Sequence, residues 1–104
     1  MEAKIATFVA LGNLTDEGLR QSDRLEEHVT QTVAEAEKLG VKVIASWALL
    51  GIYDLMLVFE APDGETVAGI MEKDAADGFM RYQTMEALSM KELATRLAGS
   101  KIGP

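Results

Sequence analysis

Seven residues of this 104-residue chain carry side chains that could perform chemistry or hold a ligand. His28 is the only histidine, and a histidine at the rim of a helix–sheet interface can act as a general base or bind a metal. Such a residue is more often a boundary side chain with one ring nitrogen in water. The other six are candidate ligand-binding residues near predicted strands: Asn13, Trp47, Tyr53, Asp54, Arg81 and Tyr82.

Tyr53 and Asp54 follow Gly51 in the stretch WALLGIYDLMLVFE and resemble a catalytic pair. Neighbouring residues of a strand point to opposite faces of the sheet, so the two side chains cannot act together on one substrate atom within a subunit. Asp54 is expected to accept hydrogen bonds from turn amides beside Gly51. Tyr53 is expected to pack in the core with its hydroxyl satisfied at the end of the sheet.

The remaining candidates also have structural interpretations. Trp47 is more often a core residue, and Arg81 with Glu86 can form a strand-end ion pair worth about 0–1 kcal/mol. Asn13 most simply supplies a turn, although its amide could also face a ligand. A small ligand would sit in an aromatic-lined cavity between the sheet and the helices, near Trp47 and Tyr82.

Composition excludes several classes of function. The absence of cysteine rules out thiolate catalysis, thiolate metal sites and disulfides, and with one histidine a transition-metal site would consist mostly of carboxylates. We therefore predict no metal and no cofactor. The 17 acids against 10 lysines and arginines give a net charge of −7, which repels phosphate backbones and excludes nucleic acid as a partner.

No membrane association is expected either. The apolar stretches run to about ten residues, far short of the roughly 20 that span a bilayer. The opening segment MEAKIATF has an acid at its second position and no export signal, so the cytoplasm is the expected location.

The hydrophobic patterns predict the order β-α-β-β-α-β-α in a single domain over residues 1–104. Strands are predicted at 4–13, 41–50, 53–61 and 79–88, and helices at 23–40, 65–76 and 90–99. Gly40, Gly78 and Gly99 are expected to end the helices, and Gly51 to supply the positive φ of a tight hairpin. The first six elements make a ferredoxin-like α+β fold, in which two helices cover one face of a four-stranded antiparallel sheet.

The predicted central strands are apolar on both faces. In the third strand, Leu55, Leu57 and Phe59 face one way, whereas Met56 and Val58 face the other. A sheet with helices on one side only should instead alternate apolar and polar residues. An uncovered second face would expose several hundred Å² of apolar surface, so we predict a homodimer through that face, with further assembly left open.

The alternative is a monomer in which the last helix folds across the second face. Its apolar stripe consists of Met90, Leu93 and Leu97. That stripe is short for the task, which favours the dimer.

Several stretches resemble the GYD-domain family of small, mostly bacterial and archaeal proteins, named for a Gly-x-Tyr-Asp signature. LGIYDLMLVFEAPD carries the signature as Gly51-Ile52-Tyr53-Asp54, and LGNLTDEG, AEKLGVKV and YQTMEALSMKEL are similar to other segments of the family. The resemblance implies a dimeric α+β barrel of ferredoxin-like topology and no particular substrate. Ile52 stands where the family typically has arginine, so any contact of that arginine with an anion or a partner chain would be missing.

Two classes of function remain open. The first is a homo-oligomeric module that binds a small ligand or a protein and regulates it, which the scarcity of catalytic side chains favours. The second is an enzyme of the dimeric-barrel kind acting on a small apolar or aromatic substrate. There His28 would be the general base, with Tyr82 or Tyr53 as hydrogen-bond donor.

Overall fold

The structure is a computed structural model that describes residues 5–102, with side chains up to residue 99. Its elements are β1 (Ala6–Leu14), α1 (Asp16–Arg20), a 3-10 turn (Ser22–Arg24), α2 (Leu25–Lys38), β2 (Lys42–Ala48), β3 (Leu55–Ala61), α3 (Gly64–Ala75), β4 (Met80–Ala87) and α4 (Met90–Ile102). The predicted order is confirmed, with α1 as an addition. The predicted start of the first strand at residue 4 lies outside the described residues.

The four strands form one antiparallel sheet in the order β2-β3-β1-β4. β1 and β3 are therefore central, as predicted. Burial alternates along β3, where Leu55, Leu57 and Phe59 are buried while Met56 and Val58 are half-buried. The buried side chains face α2 and α3, which confirms the ferredoxin-like α+β fold.

The core lies between the sheet and these two helices. Burying each large apolar side chain there stabilises the fold by roughly 1.5–3 kcal/mol. The largest fully buried side chains are Val41, Leu57, Phe59, Val67 and Met80.

α2 buries one narrow stripe, His28, Thr32 and Ala36, whose members are four residues apart and so share a face. The apolar spacing in the sequence predicts a different stripe for this helix, consisting of Leu25, Val29, Thr32, Val33, Ala36 and Leu39. Leu39 is instead 59% exposed, because α2 ends at Lys38 and Gly40, at φ 79°, turns the chain away.

Side chains cap the N-termini of the later helices. Asp63 Oδ1 accepts from the Thr66 amide at 2.7 Å and caps α3. This backbone hydrogen bond, followed by one from the Thr66 hydroxyl, holds the pKa of Asp63 below its usual range. Ser89 and Glu92 have the S-x-x-E spacing that predicts a capping box. They form one at the start of α4, where the Glu92 amide donates to Ser89 Oγ at 3.0 Å.

The segment between β2 and β3 is a six-residue loop, residues 49–54, and the predicted tight hairpin was wrong. The Leu49 amide donates to the Asp54 carbonyl at 2.8 Å and closes this loop. Gly51 has no positive φ, whereas Gly40 and Gly78, which end helices, do. The apolar run Trp47 to Glu60 is therefore interrupted by a loop. β2 ends at Ala48 and β3 begins at Leu55, so both strand ends lie further from Gly51 than in a tight hairpin.

β2 carries a bulge between Val43 and Ala45, where the register with β3 shifts. A bulge adds one residue to a strand and so reverses which face the later side chains occupy. Val43 lies opposite the buried Phe59, but Trp47 lies opposite Met56 on the other face. Regular alternation along an unbroken strand would instead place Val43 and Trp47 on one face.

α4 extends away from the core instead of folding across the sheet. Every described side chain of α4 is exposed, including those of its apolar stripe, Met90 (80%), Leu93 (40%) and Leu97 (52%). The helix also continues past Gly99, the predicted stop, to Ile102. Among the described residues, no helix has the length and apolarity needed to cross a membrane.

Candidate functional site

Among residues 5–102, no element covers the face of the sheet opposite α2 and α3, and we call it the open face. Cross-strand pairing arranges its side chains in rows, two mainly apolar rows in the centre and a polar row at each end. The apolar rows are Ala45–Val58–Val9–Met85 and Trp47–Met56–Leu11–Gln83, and the polar rows are Lys42–Glu60–Thr7–Ala87 and Asn13–Arg81. Such an arrangement, apolar at the centre and polar at the rim, is typical of a protein–protein interface.

Trp47 is the largest apolar side chain on the open face and is 60% exposed. The expectation that it is a core residue was wrong because the bulge in β2 turns it away from the helices. Trp47 also does not line a cavity between sheet and helices with Tyr82, which lies on the opposite face beside Met80.

Hydrogen bonds tie the 49–54 loop to the polar end of the open face. The Asn13 amide nitrogen donates to the Ile52 carbonyl at 2.7 Å, and the Tyr53 hydroxyl donates to Gln83 Oε1 at 2.9 Å. Tyr53 thus belongs to the open face, not to the buried face predicted for it, because it precedes β3 and lies in the loop.

Arg81 stands in the row of Asn13 at this polar end. Within the described part of the chain its guanidinium has no ion-pair or hydrogen-bond partner, so the predicted pair with Glu86 is not formed. A concavity of about 510 Å³ opens beside Arg81, Asn13 and Gln83.

Asp54 joins the loop to β1. The expectation that its side chain would bond the turn beside Gly51 was therefore wrong. Its Oδ2 accepts from the Leu14 amide at 2.8 Å, and its own amide donates to the Gly12 carbonyl at 2.8 Å. Tyr53 and Asp54 therefore contact different strands, β4 and β1 respectively.

A second group of polar side chains lies on the helix side of the sheet. We call it the His28 cluster; it comprises His28, Thr32, Asp74, Asp77, Phe79 and Tyr82. The imidazole of His28, only 9% exposed, stacks on Phe79 with ring centroids 4.3 Å apart. Its Nε2 is 3.1 Å from Asp74 Oδ2, and its Nδ1 is 3.5 Å from Asp77 Oδ2.

Asp74 is the most deeply buried acid of the cluster, with 8% of its side chain exposed. Burial of a carboxylate is tolerated only when hydrogen bonds satisfy it. Asp74 accepts from the Thr32 hydroxyl and from His28. Burial, then the negative charge of Asp74, raise the pKa of Tyr82 above its usual range, so its hydroxyl stays protonated.

The turn before β4 links this cluster to α1. Asp77 Oδ1 accepts from the Phe79 amide at 2.9 Å, and the Phe79 carbonyl accepts from the Thr15 amide at 3.2 Å. Gly18 packs so close that a Cβ there would lie 2.1 Å from the Phe79 carbonyl oxygen. Phe79 is therefore fixed from two sides, and the ring of His28 stacks on a rigid surface.

The structure separates the seven predicted residues into three groups. Asn13, Tyr53, Arg81 and Trp47 share the open face, Asp54 holds the loop, and His28 and Tyr82 meet Asp74 on the helix side. The contribution of Asp74 and Asp77 was missed, because they follow His28 by 46 and 49 residues and no local spacing connects them. No pattern within either helix specifies that the end of α3 packs beside His28.

The fold and the open face define a small ferredoxin-like module with one sheet face free for association. A family model described as the GYD domain matches residues 8–97, and the chain belongs to this family. It is also similar to a protein of Thermus thermophilus named "Glutamine synthetase and cystathionine beta-lyase binding protein". The two are 38% identical over 92 residues, which cover 88% of this chain and 97% of the relative.

Proposed function

We propose that this chain is a protein-binding regulatory module that acts as a homodimer in the cytoplasm. The observation that carries the proposal is its similarity, over nearly the whole of both chains, to a protein named for binding two enzymes. The geometry is consistent with this function, because the chain presents two exposed apolar surfaces, the open face and the stripe of α4.

The open face fits a second copy of the chain. In a two-fold dimer each apolar row would lie against an apolar row of the partner, with the polar rows at the rim. Any small apolar ligand would then be enclosed between the two sheets, where apolar side chains surround it.

The area of the open face suggests that α4 takes part as well. Four strands about 4.8 Å apart and four rows about 6.8 Å apart give a footprint on the order of 500 Å². A stable interface buries about 800 Å² on each partner. The exposed stripe of Met90, Leu93 and Leu97 would supply much of the difference if α4 lay against the second copy.

Catalysis by His28 has no specific observation in its favour. His28 lies in the helix layer, so it cannot act on a molecule bound at the open face. Its ring is stacked on Phe79 and flanked by Asp74 and Asp77, which accounts for its position without a substrate.

Direct binding measurements test the proposal. The purified chain would be immobilised and exposed to glutamine synthetase and to cystathionine β-lyase from the same organism, with an unrelated enzyme of similar size as the control. Saturable binding of at least one of the two, and none of the control, is expected. If neither enzyme binds at tens of micromolar, the assignment fails for this chain.

A further inference from the structure

We propose that His28 and Asp77 bind a divalent cation of the zinc class, with Asp74 as the outer group that orients the imidazole. The site would occupy the groove between α2, α1 and the turn before β4. The proposal departs from the expectation of no metal, which rested on composition alone. It is independent of the enzyme-binding function, since it rests only on the His28 cluster and the groove beside it.

The distance between the two ligand atoms fits a shared cation. His28 Nδ1 and Asp77 Oδ2 are 3.5 Å apart, which is longer than a good hydrogen bond. With Zn–N and Zn–O bonds of about 2.0–2.2 Å, two atoms at that separation subtend an angle of about 115° at the metal, close to tetrahedral. Neither side chain would have to move far to bind.

The other nitrogen of the ring has the environment of a metal-binding histidine. Nε2 lies 3.1 Å from Asp74 Oδ2, and a carboxylate at that position favours a hydrogen on Nε2 and directs the lone pair of Nδ1 outward. Asp74 is itself held by the Thr32 hydroxyl. The stack on Phe79 fixes the plane of the ring, so Nδ1 is pre-oriented toward Asp77.

The groove beside Nδ1 is open to solvent and rich in oxygen atoms. It has a volume of about 220 Å³ and is lined by His28, Asp77, Glu27 and Gln31, among others. Glu27 and Gln31 are one helical turn apart on α2 and can offer further oxygen ligands, Glu27 by giving up its 3.7 Å ion pair with Arg24, which lines the same groove. Water would complete the coordination. Asp77 lines this groove with 53% of its side chain exposed.

The unique histidine makes the test direct. The tag-free protein, labelled with nitrogen-15, would be titrated with zinc chloride while the two imidazole nitrogens of His28 are followed by NMR. The Nδ1 resonance is expected to shift strongly and saturably, while Nε2 keeps its proton. Zinc affinity would be measured in parallel by calorimetry.

Two variants separate this site from nonspecific binding to surface acids. Asp77→Asn should weaken zinc binding at least tenfold, whereas Glu37→Gln, which removes one exposed acid from the same helix as His28, should change it less than twofold. Thermal unfolding would check that each variant is folded. An unshifted Nδ1 resonance at millimolar zinc, or equal affinity of Asp77→Asn and the wild type, would overturn the proposal.

Discussion

Replacing Trp47 with alanine should weaken the proposed dimer more than a hundredfold. Trp47 is 60% exposed in the single chain, and a tryptophan offers up to ~250 Å². About 150 Å² would therefore be buried on pairing, which corresponds to roughly 4 kcal/mol for each copy at about 25 cal/mol per Å².

Only part of that free energy appears in the affinity, because association also costs translational freedom and side-chain entropy. We take a net loss of about 1.5 kcal/mol of binding free energy for each tryptophan, which is below the usual hot-spot value. Because the dimer contains two copies of Trp47, the substitution removes ~3 kcal/mol in all. Every ~1.4 kcal/mol is a factor of ten in the dissociation constant, which gives the hundredfold limit.

The assay is sedimentation equilibrium at several concentrations of wild type and Trp47→Ala. Leu39→Ala is the matched control, because Leu39 is 59% exposed but lies at the end of α2, away from the open face. Unfolding in urea would confirm that both variants are folded. If Trp47→Ala and Leu39→Ala had equal dissociation constants, the assignment of the open face as the dimer interface would be refuted.

Three further predictions concern stability. Gly18→Ala should destabilise the chain by about 1–3 kcal/mol or more, since its Cβ would meet the Phe79 carbonyl at 2.1 Å; an unchanged urea midpoint would contradict this packing. Asp54→Ala should cost about 1–3 kcal/mol by leaving the Leu14 amide unpaired, whereas Asp54→Asn should retain most of the stability in the same assay. Asp63, whose pKa is lowered on folding, stabilises the chain above pH 3.8, and this stabilisation is lost as the pH falls through the pKa of the folded state. Asp63→Asn should therefore flatten the acid side of a plot of melting temperature against pH. An identical plot for the variant and the wild type would argue against the cap.

Much of the fold could be predicted because its signals are local. The capping box of Ser89 and Glu92 and the helix-ending glycines Gly40 and Gly78 depend on a few neighbouring residues. The apolar character of both faces of β3 also follows directly from the alternation of its residues, whereas the second copy inferred from it stays a prediction.

What the sequence could not supply depends on contacts between distant segments. The bulge after Val43 has no glycine to mark it, yet it moves Trp47 to the other face of the sheet. Gly18 weakens α1 by helix propensity alone, but it is required by the approach of Phe79. The meeting of His28 with Asp74 and Asp77 depends on how α2 packs against α3, which no pattern within either helix specifies.

The central claim is that a second copy of the chain covers the open face. The mass of the wild-type protein in solution, measured by sedimentation equilibrium at micromolar concentration, tests it most directly. We expect twice the chain mass of 11.3 kDa. A species that remains at 11.3 kDa throughout the micromolar range would contradict the claim.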